Sequence, residues 1–128
     1  MSKTERVSFI VPLIPPSVNH YKTRFRNGNT VVSKEAVAFK DAISLIARQR
    51  YVIGKKFAVD MLIVLGRGDK GDVDNFPKLV LDGLAQYGAF QHPNGKALSD
   101  AHVCQMNVEV DRETRPDKGS TRIGFEAL

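Results

Sequence analysis

Residues 71–84 read GDVDNFPKLVLDGL and predict a loop that runs into a helix. Asp72 and Asp74 are two positions apart, so an extended backbone points both carboxylates to the same side. Asp74 suits the N-cap of a helix, and Lys78 and Asp82 follow it at intervals of four residues, on one helical face. The opposite, core-facing side is predicted to be Phe76, Val80, Leu84 and Tyr87. Helix capping alone explains this pattern, but two carboxylates with a lysine one turn on also suit a divalent cation beside a phosphate.

Length and composition favour an ordinary globular protein. A chain of 128 residues with 42% hydrophobic and 26% charged residues predicts a single domain over residues 1–128. No apolar run approaches the roughly 20 residues that span a bilayer. The first residues lack the pattern of a signal peptide, so we expect a cytoplasmic protein. Cys104 is the single cysteine, which excludes an internal disulfide and a multi-cysteine zinc site, and we expect it to be buried.

Charge is divided unevenly along the chain. Residues 1–70 carry 13 Lys and Arg against 5 Asp and Glu, whereas residues 71–128 carry 6 against 9. An acidic site in an otherwise basic protein suits an enzyme that acts on a polyanion through a bound cation. Many soluble proteins show such asymmetry without binding nucleic acid, so the charge alone decides little.

The first half of the chain predicts a strand, a basic hairpin and a helix. Residues 5–12 alternate as a strand that we expect to be buried on both faces. Asn27-Gly28 favours a tight turn between two short extended pieces, from which Lys22, Arg24 and Arg26 project on one side. Such a hairpin suits phosphate contacts, although a merely solvated hairpin fits equally well. A helix is predicted from Ser33 to about Tyr51, with Lys34 near its polar side.

The second half predicts one central strand and two further strands. Residues 57–65 are apolar on both faces, as in a central strand. A long loop, 89–99, precedes a strand in which Cys104 and Met106 are expected to face the core. The last strand, 121–127, is expected to pair back on it as a hairpin. The order β, hairpin, α, β, α, β, β predicts an α+β fold with a mixed sheet and two main helices.

Asp100 supplies a third carboxylate at the start of the strand after the long loop. It comes near Asp72 and Asp74 if that strand and the central strand are antiparallel neighbours. Three carboxylates suit Mg²⁺ or Mn²⁺, which prefer oxygen ligands. The alternative is that Asp72 is a solvated loop residue, Asp74 a helix cap and Asp100 a turn residue.

Three motifs resemble the RusA-type Holliday-junction resolvases of bacteria and their phages. They are PPSVN near the N-terminus, GDVDNFPKLVLDGL in the middle and SDAHV before the later strand. The family pattern is approximately P-P-S-x-N, then D-x-D-N-x-x-K-x-x-x-D-x-L, then D-D-x-Q-V. The order of the motifs agrees over nearly the full length of the chain, and the middle motif is the most specific.

The resemblance implies a homodimeric, Mg²⁺-dependent endonuclease that nicks two strands of a four-way DNA junction, with Mn²⁺ as a substitute cation. It implies that Asp72, Asp74 and Asp100 are metal ligands and that Lys78 is the catalytic lysine. Asn75 and Asp82 also match the motif and are interpreted as supporting groups. The basic hairpin and Lys34 are expected to contact DNA, and the source is expected to be bacterial or a phage.

The chain departs from the family pattern beside Asp100. Ser99 stands where the family has the first of two aspartates, His102 stands where glutamine is usual, and the loop before them is longer. The missing aspartate favours an alternative function, a catalytically impaired dimer that binds junctions or other branched DNA.

Overall fold

A four-stranded sheet forms the centre of the molecule. The computed structural model describes residues 6–15, 22–24, 30–32, 34–47, 50–69 and 77–128. The sheet contains β1 (Arg6–Val11), β5 (Phe57–Val64), β7 (Val103–Asp111) and β8 (Ser120–Ala127), in the order β1-β8-β5-β7. The β1–β8 and β8–β5 pairs are antiparallel and the β5–β7 pair is parallel. The predicted α+β class with a mixed sheet and two helices is therefore confirmed.

Two helices, α1 (Lys34–Ile46) and α2 (Pro77–Gln86), lie against each other and close the core. Ala36, Phe39 and Ile43 on α1 are buried at the spacing that a core-facing helix requires. Gly83 of α2 lies close to α1, because an added Cβ would lie 2.9 Å from Cδ1 of Ile43. A glycine here therefore sets how near the two helices lie.

Two smaller sheets flank this centre. Strands β2 (Lys22–Arg24) and β3 (Thr30–Val32) pair antiparallel, which confirms the predicted hairpin; its turn lies outside the described residues. Strands β4 (Val52–Ile53) and β6 (Phe90–Gln91) pair parallel. Strand β6 lies in the segment predicted as a long loop. That segment is a compact hairpin, in which Leu98 N–H donates to Phe90 O at 2.8 Å and His92 N–H to Lys96 O at 2.8 Å.

Aromatic rings tie this hairpin to the sheet. Phe90 is fully buried, and its ring centroid lies 5.0 Å from that of Phe57 and 5.8 Å from that of Phe125. Phe125 in turn meets Phe9 edge to face, at 6.4 Å. Burial of such rings against one another is favourable. The hairpin is consequently held by the core although its turn, around Gly95, is exposed.

Several sequence expectations about the sheet are wrong. Strand β8 pairs with β1 and β5, so it does not form a hairpin with β7. Strand β7 is an edge strand, and Cys104 and Met106, which were expected to face the core, are exposed. Cys104 falls where the β5–β7 register shifts, between Phe57↔Val103 and Ala58↔Gln105. Strand β1 is also at an edge, with only one face buried, as the 54% exposure of Ile10 indicates.

The helix predictions fail mainly at their C-terminal ends. Helix α1 ends at Ile46 and not near Tyr51, since the chain must turn into β4 at Val52. Tyr87, expected on the core face of α2, follows the end of that helix and is 39% exposed. Within the described part of the chain, neither helix has the length and apolarity to cross a membrane.

Candidate functional site

Helix α2 carries two charged residues of the middle motif. Lys78 and Asp82 are one turn apart, and Lys78 Nζ lies 3.8 Å from Asp82 Oδ2. The side chain of Lys78 is 63% exposed and that of Asp82 is 26% exposed. The pair forms because residues four apart on a helix are neighbours, and the predicted common face is confirmed for these two residues. Pro77 begins the helix as described, where its missing N–H costs little.

Asp100 begins a short 3₁₀ helix, Asp100–His102, which packs against α2. Ser99 caps it: Ala101 N–H donates to Ser99 Oγ at 3.3 Å. His102 is exposed in this element, which ends before β7 begins at Val103. The cap explains why a serine fits immediately before Asp100.

Asp82 and Asp100 line one shallow groove of about 500 Å³ on the surface of the molecule, which we name the carboxylate groove. Its other lining residues are Lys40 of α1, Ala85 and Gln86 of α2, and Ala97, Leu98 and Ser99 of the hairpin. The groove thus combines two carboxylates and one ammonium from three separate segments. This arrangement suits a ligand that carries both a cation and an anion.

The predicted antiparallel pairing of the central strand with the strand after Asp100 is wrong. Strands β5 and β7 are neighbours, but they are parallel. The first residue of β5, Phe57, therefore pairs with Val103, and its last residue, Val64, pairs with Asp111. Asp100, just before β7, lies at the start of β5 and not at its end. Helix α2 rather than strand pairing brings it near the middle motif.

The chain leaves β5 through a well-anchored turn. Gly66 N–H donates to Asp69 Oδ2 at 2.7 Å. Arg115 Nη1 donates to Gly66 O at 2.9 Å and to Asp69 O at 2.7 Å. The segment that leads to Asp72 is therefore fixed as far as Asp69.

The remaining predicted residues of the middle motif lie outside the described residues. These are Asp72, Asp74 and Asn75, with Phe76 beside them. Among the predicted DNA contacts, Lys22 and Arg24 belong to β2, Lys34 is exposed at the start of α1, and Arg26 lies outside the described residues.

The donors fit part of a site for a hard cation. Carboxylate oxygens are the ligands that Mg²⁺ and Mn²⁺ prefer, and Asp82 and Asp100 supply them in the groove. Among residues 6–15, 22–24, 30–32, 34–47, 50–69 and 77–128, no group of three or more His, Cys, Asp or Glu is placed to hold a metal ion. A third ligand would have to come from the rest of the chain.

Sequence reasoning missed Lys40 as a wall of this groove, since its helical position indicated only a solvated face. Asp82, interpreted as a supporting group, lines the same groove as Asp100. The spacing of Ala36, Phe39 and Ile43 does orient α1, but the approach of α1 to residues 97–100 depends on how the hairpin folds.

Comparison with known proteins adds no assignment. No protein-family model matches the chain, and no curated protein matches its sequence.

Proposed function

We propose that the protein is a Mg²⁺-dependent, structure-selective DNA endonuclease that resolves four-way junctions as a homodimer. The observation that carries the proposal is the meeting of Asp82 and Asp100 in one groove, beside the Lys78–Asp82 ion pair. These residues come from two of the three motifs that resemble the RusA-type resolvases. Their proximity is what a shared site requires of motifs so far apart in the chain.

Asp72, Asp74 and Asp100 would hold the cation, and Asp82 would orient Lys78. A bound Mg²⁺ would polarise the phosphodiester. It would also lower the pKa of a bound water molecule, which favours the hydroxide form at neutral pH. The ammonium of Lys78 is exposed enough to reach a phosphate and would stabilise the charge that develops there. Lys22, Arg24, Arg26 and Lys34 would guide the arms of the junction by contacting phosphates. A two-fold dimer would let two sites nick opposing strands.

The decisive variant is Asp74→Asn, which removes one negative charge and keeps the shape of the side chain. We expect cleavage of a synthetic four-way junction in Mg²⁺ to be abolished, while junction binding in EDTA stays within about twofold of wild type. Cleavage is measured on denaturing gels and binding by fluorescence anisotropy. Loss of a metal ligand has this signature because the cation acts on the reaction, whereas the basic surface supplies the affinity.

The matched control is Asp117→Asn. The side chain of Asp117 is 87% exposed, lies 3.3 Å from that of Arg67 and does not line the groove of Asp82 and Asp100. Full cleavage by the Asp74→Asn variant would overturn the metal-site assignment. Rates on junctions, flaps and plain duplexes, compared at equal protein concentration, then separate a junction resolvase from a nuclease for another branched substrate.

A second candidate function, a non-catalytic dimer that binds branched DNA, is favoured by the parallel pairing of β5 and β7. That pairing directs Asp100 to the start of β5, and Ser99 stands where the resembled motif has a further aspartate. Titration of the protein with Mn²⁺, followed by electron paramagnetic resonance, distinguishes the two. Binding that is lost in both Asp74→Asn and Asp100→Asn supports the nuclease; junction binding without any Mn²⁺ uptake supports the binding module.

A further inference from the structure

A second surface, distinct from the groove, lies where β4 meets β6. Arg50, Tyr51, Tyr87, Gly88 and Gln91 line a concave site of about 610 Å³ there. Tyr51 is 47% exposed and Tyr87 is 39% exposed, unusual for two large aromatic side chains in one depression. We name these residues the tyrosine pocket.

The tyrosine pocket is shaped by fixed backbone. Helix α2 ends at Gln86, and the chain turns through Gly88, which has a φ of +75° that favours glycine. Gln91 Nε2 donates to Gly88 O at 3.1 Å, which ties the side wall to this turn. Ala89 O accepts from Val52 N–H at 2.9 Å, so the strand that follows Tyr51 is held beside the strand that follows Tyr87. The two tyrosines are therefore presented together by hydrogen-bonded segments.

Charge around the tyrosine pocket has one sign. Residues 50–56 and 87–91, which contain all the lining residues, hold Arg50, Lys55 and Lys56 and no Asp or Glu. Arg50 lines the pocket, and Lys55 and Lys56 are exposed just beyond the point where Gly54 N–H donates to Gln91 O at 2.8 Å. The C-terminus of α2 contributes only about half a negative charge here. The surface therefore attracts anions.

We propose that the tyrosine pocket binds an unpaired stretch of a nucleic-acid strand, with bases stacked on Tyr51 and Tyr87 and phosphates held by Arg50, Lys55 and Lys56. Aromatic rings stack on any base, and cations follow the backbone, so a surface with both suits single strands without sequence preference. The ligand class rests on the proposed function, but the site is separate from the carboxylate groove. It would hold strands that open at the branch point of the DNA.

The test uses the intrinsic fluorescence of tyrosine, since the chain has three tyrosines and no tryptophan. Tyr21→Phe removes the third tyrosine and leaves Tyr51 and Tyr87 as the only reporters. We expect (dT)₁₂, added to this variant in EDTA, to quench its fluorescence in a saturable manner through stacking. Absence of quenching would overturn the proposal.

Affinity for labelled (dT)₁₂ is measured by anisotropy. The double variant Tyr51→Ala/Tyr87→Ala should bind at least about tenfold more weakly, given the usual cost of losing a stacked base. Tyr51→Phe/Tyr87→Phe should stay within about twofold of wild type, because phenylalanine stacks equally well. Leu45→Ala is the control, since Leu45 is 74% exposed and lies outside the pocket. Unchanged affinity in the folded double alanine variant, as judged by circular dichroism, would also overturn the proposal.

The test of the tyrosine pocket and the test of the nuclease activity have independent outcomes. Asp74→Asn should bind (dT)₁₂ and quench as wild type does. Quenching by (dT)₁₂ without any junction cleavage would support the tyrosine pocket and refute the proposed nuclease activity. Junction cleavage without quenching would support the nuclease activity and refute the tyrosine pocket.

Discussion

The carboxylate groove and the tyrosine pocket are two sides of one hairpin with opposite chemistry. Gly88 and Gln91, at the start of segment 88–100, line the pocket, and Ala97 to Asp100, at its end, line the groove. The groove holds two carboxylates and a lysine; the pocket holds two tyrosines and an arginine. Charge that is separated in this way suits the two proposed ligands, a cation in the groove and a polyanion at the pocket.

The largest effect is expected from the residue that supports both surfaces, Phe90. It is fully buried between Phe57 and Phe125, and Phe90→Ala should lower the free energy of unfolding by about 4 kcal/mol, the usual cost of such a truncation. Urea denaturation measures the change. Both junction cleavage and (dT)₁₂ binding should fall together, because the hairpin loses its anchor.

Lys96→Ala is the control, since Lys96 is exposed on the same hairpin and should change stability by less than about 0.5 kcal/mol. If Phe90→Ala cost no more than Lys96→Ala, the hairpin would not be held by the core, and the common origin of the two surfaces would be refuted.

The groove alone is tested by Asp100→Asn. We expect about a hundredfold loss of junction cleavage, equivalent to about 2.7 kcal/mol in the activation free energy, because the cation would lose a charged ligand. Cleavage rates under single-turnover conditions measure it. Quenching by (dT)₁₂ should be unchanged, with Asp117→Asn as the control. Equal loss of cleavage and quenching would mean that the groove and the pocket are one site.

The spacing of the helices is tested by Gly83→Ala. The new Cβ would press on Cδ1 of Ile43, which is fully buried. Overpacking costs about 1–3 kcal/mol, and the better helix propensity of alanine returns about 1 kcal/mol. We therefore expect a net loss of about 1 kcal/mol in urea denaturation, the difference between those two effects.

Ile43→Val supplies the second arm of this experiment, because valine lacks the Cδ1 atom. The double variant Gly83→Ala/Ile43→Val should be more stable than the sum of the two single losses predicts, because valine removes the atom that the new Cβ would press on. Strict additivity would show that Gly83 does not set the distance between α1 and α2. Cleavage should change more than (dT)₁₂ binding, since Lys40 of α1 lines the groove and no residue of α1 lines the pocket.

The sequence predicted the parts of this comparison that depend on local patterns. The buried stripe of α1, the central position of β5 and the pairing of Lys78 with Asp82 all follow from periodicities of two or four residues. The groove does not follow from local patterns alone. Lys40 and Asp100 line one groove because of the packing of a hairpin whose buried anchor, Phe90, lies in a segment with turn residues on both sides of it.

The order of strands was the main failure, and its cause is physical. Residues 103–110 alternate in a way that fits either a central or an edge strand, and nothing local fixes whether β8 returns beside β7 or is inserted between β1 and β5. The choice depends on which neighbours bury most apolar surface, and Ile123 and Phe125 of β8 are fully buried there. The exposure of Cys104 and the parallel pairing at Asp100 both follow from that choice.

The smallest effect is expected away from both surfaces, at Asp111. Thr114 Oγ1 donates to Asp111 Oδ2 at 2.6 Å, and the backbone N–H groups of Thr114 and Glu113 donate to Oδ1 at 3.0 and 2.9 Å. These hydrogen bonds hold the pKa of Asp111 below its ordinary value of 3.8, with the Thr114 hydroxyl as the largest cause. Thr114→Val should therefore raise the pKa of Asp111, as measured by carboxyl ¹³C titration, whereas Thr114→Ser should retain it.

The sign of the stability effect follows from the lowered pKa. A carboxyl group that is more acidic in the folded chain stabilises it above the unfolded pKa, and this contribution is lost as the pH falls through the folded pKa. Wild type should thus be slightly more stable than Thr114→Val at pH 6, and the difference should fade in the acid range below 3.8. A difference that persisted there would assign the effect to packing of the threonine. Binding of (dT)₁₂ should not change, because Asp111 does not line the tyrosine pocket.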